Sequence, residues 1–412
     1  MGILKGNAVV GQSGGPTAAI NATLAGVIRG AKEAEKKGII NTLYGMRNGI
    51  EGFLDEKLIN LTDLFDSEDK IRTLETTPAA ALGSCRKKMK SPEDDPKTYE
   101  RLLEIFKKYD IRYFFYIGGN DSMDTVLKLS TFAEAHDYEL RVVGVPKTID
   151  NDLMATDHTP GFGSAAKYVA ITMKEILRDV SVYNMKAVTI VEIMGRDAGW
   201  LTASAALTKL SGGECAHLIY IPECAFDAEA FINSIIEIQK EHPAVLVAIS
   251  EGIKFSDGRY VGEGLAGRKV DAFGHVALSG AGRVLEQLVK ERLGCKVRSI
   301  ELNLPQRCAS HSASATDIAE SAGVGFAAVR AAVSGNTGVM ITIDRLPGEE
   351  YAVSFGSANI AEIANEVKRV PREYINADGN GITDECINYL APLIRGEVKI
   401  EYENGLPKHI VL

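Results

Sequence analysis

Tyr113-Phe114-Phe115-Tyr116-Ile117-Gly118-Gly119-Asn120-Asp121-Ser122 sets a run of bulky, mostly aromatic residues directly before two glycines and a polar triplet. The run has the length of a buried strand, and the glycines let backbone N–H groups approach an anion where a helix begins. Further on, Arg141-Val142-Val143-Gly144-Val145 repeats the strand pattern and leads into Pro146-Lys147-Thr148-Ile149-Asp150-Asn151-Asp152. That segment places an ammonium just ahead of two carboxylates spaced i, i+2. A cation to hold phosphate beside acids that can accept a proton, both at strand ends, points to phosphoryl transfer.

Outward from this pair, apolar runs at Ala8–Val10, Ile39–Tyr44, Ala187–Ile193, Ala216–Ile221 and Ala244–Ile249 are short and rich in Val and Ile. Helical patterns fall between them at Ala18–Lys36, Thr98–Tyr109, Ser122–Ala135, Ser164–Asp179, Ala198–Lys209, Ala228–Lys240 and Phe273–Leu293. Strands alternating with helices imply an α/β fold of mostly parallel sheets covered by helices on both faces. Ligands of such sheets gather at the carboxyl ends of strands, where Gly11, Gly118, Lys147, Gly195 and Glu251 all fall.

A chain of 412 residues exceeds the about 250–300 residues that one core supports, so two or more lobes with a site in a cleft between them are expected. The charged, strand-poor segment Asp55–Lys97 reads as a mobile excursion over that cleft. A net charge of −9 without a basic stripe argues against nucleic acid or an anionic membrane as partner. The six cysteines form no C-x-x-C pair, and there is neither an apolar leader nor an apolar run of about 18 residues, so a soluble, cytoplasmic protein is expected.

Two motifs suggest other chemistry. Gly11-Gln12-Ser13-Gly14-Gly15 fits the nucleophile elbow of a serine hydrolase, with His311 as base, but no earlier strand supplies a second oxyanion N–H. Gly161, Gly163 and Ala166 resemble a dinucleotide fingerprint, yet no strand precedes them. No G-x-x-x-x-G-K-[ST] loop and no H-E-x-x-H occurs.

Taken in order, Gly11–Gly15, Gly118–Ser122, Thr148–Asp152, Met194-Gly195-Arg196, Glu251-Gly252 and Gln306-Arg307 resemble the phosphofructokinase family, and within it the pyrophosphate-dependent branch, over roughly residues 7–345. The resemblance implies fructose 6-phosphate and inorganic pyrophosphate as substrates, Mg²⁺ as cofactor, a glycolytic role and a homodimer or homotetramer. It further implies a break near Pro160-Gly161-Phe162-Gly163, with 1–162 as the donor-binding lobe, 163–305 as the sugar-phosphate lobe and 306–412 as a returning segment that packs on both.

It also implies roles for single residues. Asp150 is the base for the sugar hydroxyl, supported by Asp152, Lys147 and Arg196. Gly14, Gly15, Gly119, Asp121, Lys147 and Arg86 hold the diphosphate. Thr148, Asp150, Met194, Gly195, Arg196, Glu251, Arg298 and Arg307 hold the sugar phosphate, and Asp121 and Asp150 face the metal. ATP-using relatives typically carry glycine at the positions of Asp121 and Lys147, so these side chains are expected to obstruct a nucleotide. Three departures stand out. Asn120 replaces a metal-binding aspartate, Asn303-Leu304-Pro305-Gln306-Arg307-Cys308 replaces GHxQRG, and an arginine expected near Lys186 is missing. The competing readings are an ATP-dependent kinase of the same fold and a phosphosugar sensor without turnover.

Overall fold

The structure is a computed structural model that describes residues 3–182, 184–263, 280–364 and 366–412. Its main strands are β1 (Gly6–Gln12), β2 (Ile40–Met46), β3 (Leu58–Asn60), β4 (Ile111–Gly118), β5 (Arg141–Pro146), β6 (Ala187–Ile193), β7 (Leu218–Tyr220), β8 (Ala244–Ser250), β9 (Lys296–Glu301), β10 (Val339–Arg345) and β11 (Val353–Asn359). One sheet has the order β11-β10-β5-β4-β1-β2-β3, the other β9-β6-β8-β7. The second is parallel throughout, and the first is parallel except for its two edge strands, β3 and β11.

The central strands of the first sheet alternate between two cores, as the period of two along a strand requires. Ala8, Val10, Tyr113, Phe115, Ile117, Val143 and Val145 face helices α1 (Ile20–Lys36) and α7 (Ala315–Val333). Val9, Phe114, Tyr116 and Val142 face α2 (Pro96–Lys108) and α3 (Asn120–Ala135). In the second sheet Val191, Ile193, Leu246 and Ala248 pack on α4 (Phe162–Val180), while Val188, Ile190, Val245 and Val247 pack on α5 (Ala228–Ile238) and α6 (Ala281–Leu293). The central strands are therefore covered on both faces, and the α/β architecture of mostly parallel sheets expected from the sequence is the one observed.

Three details differ from the sequence reading. The helix expected at Ala198–Lys209 is a short turn, Trp200–Ala203, followed by a 3-10 segment, Ser204–Leu210. The helix expected at Phe273–Leu293 is described from Ala281, and 273–279 lie outside the described residues. The segment expected as a mobile excursion, Asp55–Lys97, is packed. β3 pairs antiparallel with β2, and Leu61, Phe65, Ile71, Leu74 and Leu82 are buried in the core under α1. Its charges form an outer face, which hid the apolar positions between them.

Helix α7 and the hairpin β10–β11 return the chain to the first sheet, where β10 pairs with β5. The α1–α7 contact depends on glycine. A Cβ on Gly26 would lie 2.0 Å from the Ala322 carbonyl oxygen, and one on Gly325 2.0 Å from that of Thr23. Among the described residues no helix is long and apolar enough to cross a membrane.

Candidate active site

Pairing of β4 with β5 brings Gly118 opposite Pro146, so the loops after the two strands leave the sheet side by side. The Lys147 N–H donates to the Gly118 carbonyl at 3.0 Å. The loop after β1 crosses the same sheet end, with the Ser13 N–H on Ile117 O at 2.9 Å and the Gly14 N–H on Cys85 O at 3.1 Å. Gly14 has φ +76°, a left-handed value that suits glycine. The Ser84 hydroxyl donates to the Gly14 carbonyl at 2.6 Å, which docks the 84–88 segment onto this loop.

From the second sheet, the loops after β6 and β8 meet these. The Gly195 N–H donates to Glu251 Oε1 at 3.2 Å, and the Met194 N–H donates to Gln306 Oε1 at 3.1 Å. Gly252 permits the approach, because a Cβ there would sit 1.9 Å from the Arg196 carbonyl oxygen.

The result is a cavity of about 450 Å³ lined from both sheets. Its walls include Gly14, Gly15, Arg86, Lys88, Gly119, Asn120, Asp121, Lys147, Thr148, Asp150, Asp152, Met194, Arg196, Glu251 and Arg307. Another groove, about 580 Å³ along α7 and β11, has Arg330 as its one charged side chain and no carboxylate. It lacks the groups that acid–base chemistry needs.

Cations crowd the donor side. Lys147, only 3% exposed, donates through Nζ to the Gly15 carbonyl at 2.5 Å. A Cβ on Gly15 would lie 3.1 Å from Arg307 Nη1 and 4.0 Å from Arg86 Nη2. Burial pulls the Lys147 ammonium down to about 8, against the opposing pull of Asp150 and Asp152. Burial likewise lowers Arg307, helped by the like charge of Arg86. Arg196 Nε is buried with no hydrogen-bond partner among the described residues. Bound anions would relieve each of these costs.

The carboxylates are raised for the matching reason. Burial comes first for Asp150, then the like charges of Asp152 and Glu251, while Lys147 and Arg196 pull the other way. Burial raises Asp152 and Glu251 as well. A carboxylate held above its ordinary range beside cations is the pattern of a proton acceptor matched to neutral pH. The loop is tied down by Thr148, whose Oγ1 accepts the Asp150 N–H at 3.1 Å and whose carbonyl accepts the Thr159 hydroxyl at 2.9 Å.

Most residues named from sequence meet in this one cavity. Gly11, within β1, and Gly118, at the end of β4, lie beneath it, and Gly195 acts through its N–H on Glu251. Arg298 is exposed on β9, in register with Thr189, and is not among the lining residues. Sequence reasoning gave no role to Asp197, adjacent to Arg196, or to Val367, both of which line the wall. It also missed that Lys88 pairs with Asp121 at 3.9 Å. Asp197 and Lys88 were signalled by proximity to Met194-Gly195-Arg196 and to Arg86. Val367 carried no signal.

Two mostly parallel sheets whose strand-end loops close on paired carboxylates ringed by cations define an α/β phosphotransferase. The chain belongs to the phosphofructokinase family, whose model, described as phosphofructokinase, matches residues 7–332. It is 43% identical over 408 residues to a pyrophosphate–fructose 6-phosphate 1-phosphotransferase of Methylococcus capsulatus, covering 98% of this chain and 96% of that one. An enzyme of the same name from Xanthomonas campestris is 43% identical, with 99% and 96% covered. The crystal structure of a pyrophosphate-dependent phosphofructokinase from Nitrosospira multiformis superposes with a TM-score of 0.86 at 40% identity, covering 98% of this chain and 96% of that one.

Proposed function

We propose that the chain transfers a phosphoryl group from inorganic pyrophosphate to the 1-hydroxyl of fructose 6-phosphate, giving fructose 1,6-bisphosphate and phosphate. The observation that carries the donor assignment is the Lys147 ammonium seated on Gly15 O, inside the loop that would cradle a donor phosphate. It fills that end of the cavity with a fixed cation, as suits a small, highly charged donor. The relatives named as pyrophosphate enzymes support this over an ATP-dependent reading.

In this reading Asp150 takes the proton of the 1-hydroxyl as that oxygen bonds to the terminal phosphorus. The bridging P–O bond breaks and its electrons leave with phosphate. Lys147, Arg86, Arg196 and Arg307 stabilise the charge that spreads over the transferring group. Glu251, fixed by the Gly195 N–H, accepts sugar hydroxyls, and Met194 packs on the sugar face. Residues 1–162 form the donor lobe, 163–305 the sugar-phosphate lobe, and 306–412 pack on both. A role for Arg298 requires a substrate or a second copy of the chain to reach it, consistent with a homodimer or homotetramer in the cytoplasm.

A divalent ion fits this site as a guest of the substrate. Among the described residues no three His, Cys, Asp or Glu side chains gather as a cage, yet Asn120 Oδ1 is buried without a partner and Asp121, Asp150 and Asp152 share the cavity. Such scattered oxygens suit Mg²⁺, which keeps waters and arrives on phosphates. Held there by Asp121 and Asp150, it would neutralise donor charge.

The test is fructose 1,6-bisphosphate formation by wild type and Asp150→Ser with Mg²⁺ and pyrophosphate. The substitution is expected to lower kcat on the order of 10²- to 10⁴-fold with little change in KM. Activity within tenfold of wild type would remove Asp150 from this role.

A further inference from the structure

The carboxylate loop is held from a direction that the motifs do not show. Beyond β11 the chain runs back across the cavity, and Val367 joins its wall. The next residue bonds the loop three times. The Lys368 N–H donates to the Asp152 carbonyl at 2.8 Å, and Lys368 Nζ donates to Thr156 O at 3.1 Å and to Asp157 O.

The same short segment is anchored to the sugar-phosphate side. Trp200 Nε1 donates to the Lys368 carbonyl at 2.9 Å, and Lys368 Nζ lies 5.2 Å from the Trp200 ring centroid. The Val370 N–H donates to Glu223 Oε1 at 2.9 Å, the oxygen that also accepts the Gly199 N–H at 2.9 Å. Gly199 and Trp200 follow closely on Arg196. Residues 366–370 thus join the Asp150–Asp152 loop to the Arg196 loop, and they lie outside the family model's range of 7–332.

We propose that Lys368 is a positioning residue for phosphoryl transfer, the centre of a strap that fixes the distance between the Asp150 carboxylate and the Arg196 guanidinium. This rests on the function proposed above. Thr148 and Thr159 close the loop on itself, and Ile149 alone anchors it in the apolar core of the second sheet without fixing its polar groups. The strap adds directional hydrogen bonds that refer it to the other sheet, where the sugar would be bound. Small errors in such a distance lower the chemical step more than they lower binding.

The test compares Lys368→Met, Lys368→Arg, Asp150→Asn and the Lys368→Met/Asp150→Asn double variant, with melting temperature measured alongside kcat and KM. Lys368→Met should lower kcat about 10- to 100-fold with KM changed less than about threefold, and Lys368→Arg should recover much of the loss. In the Asp150→Asn background the same change should cost less than about threefold, because a residue acting through Asp150 is not additive with it. If Lys368→Met does not fold, Trp200→Phe removes the donor to the Lys368 carbonyl and should give the same non-additive loss, smaller in size. Wild-type turnover with Lys368→Met within twofold of it, or additive losses in the double variant, would overturn the strap and leave the function standing. No turnover by wild type would remove both.

Discussion

Lys147 Nζ donates to the carbonyl oxygen of Gly15 at 2.5 Å, joining the end of β5 to the loop after β1. The ammonium is buried at a cost that the protein alone does not recover, since burial has pulled it down to about 8. Its folded-state value lies below the unfolded one of about 10.4, so the unfolded chain binds more protons between them and stability rises with pH across that window. Lys147→Met should therefore raise the melting temperature at neutral pH while kcat/KM for pyrophosphate falls at least about 10²-fold, as expected when a charge-stabilising donor is lost. Unchanged kinetics would remove Lys147 from donor binding, and a lower melting temperature would contradict the cost assigned to its burial.

The pH profile should report Asp150. Burial raises it, and the charge of Asp152 raises it further. The base works only when ionised, so the acid limb of kcat/KM should lie well above the ordinary carboxylate range of about 4. Asp152→Asn removes the second cause and should move that limb to lower pH. A limb that stays in place in this variant would show that another group titrates there.

Asn303 carries φ +45° and ψ −137°, a conformation that favours glycine, directly before the Leu304–Arg307 turn. Its carbonyl accepts the Gln306 N–H and side-chain amide, so the backbone shape is held by bonds that do not need the Asn side chain. Asn303→Gly should raise stability by about 1 kcal/mol through released strain. Urea unfolding that shows no gain would argue that the asparagine is not strained.

Gly26→Ala tests the α1–α7 contact. Its Cβ would fall 2.0 Å from a backbone oxygen that cannot move without shifting the helix. A loss of about 3 kcal/mol is expected. A loss below about 1 kcal/mol would mean that the two helices part easily.

The seven apolar runs read as strands all contain strands, because each is short and most are covered on both faces, which leaves a dense local signal. Helix α7 went unread for the opposite reason. Its Ala- and Gly-rich sequence buries Val324, Gly325, Ala328 and Val329 against α1 with little amphipathic contrast, although Ser314 capping the Asp317 N–H was a visible start signal. The edge hairpin β10–β11 was missed because β11 alternates with half-exposed residues. Within the site, Lys147, Asp150 and Arg196 were legible because their chemistry is local to a motif. Lys368 was not, since the groups its ammonium donates to lie more than two hundred positions earlier in sequence and are backbone carbonyls, which leave no mark on residue identity.

The central claim is the donor. The most direct measurement compares initial rates of fructose 1,6-bisphosphate formation from fructose 6-phosphate and Mg²⁺ with pyrophosphate and with ATP at equal concentration. Turnover with pyrophosphate and none with ATP is the predicted result. Turnover with ATP alone would keep the fold and the Asp150 chemistry but contradict the reading of Lys147 and Asp121.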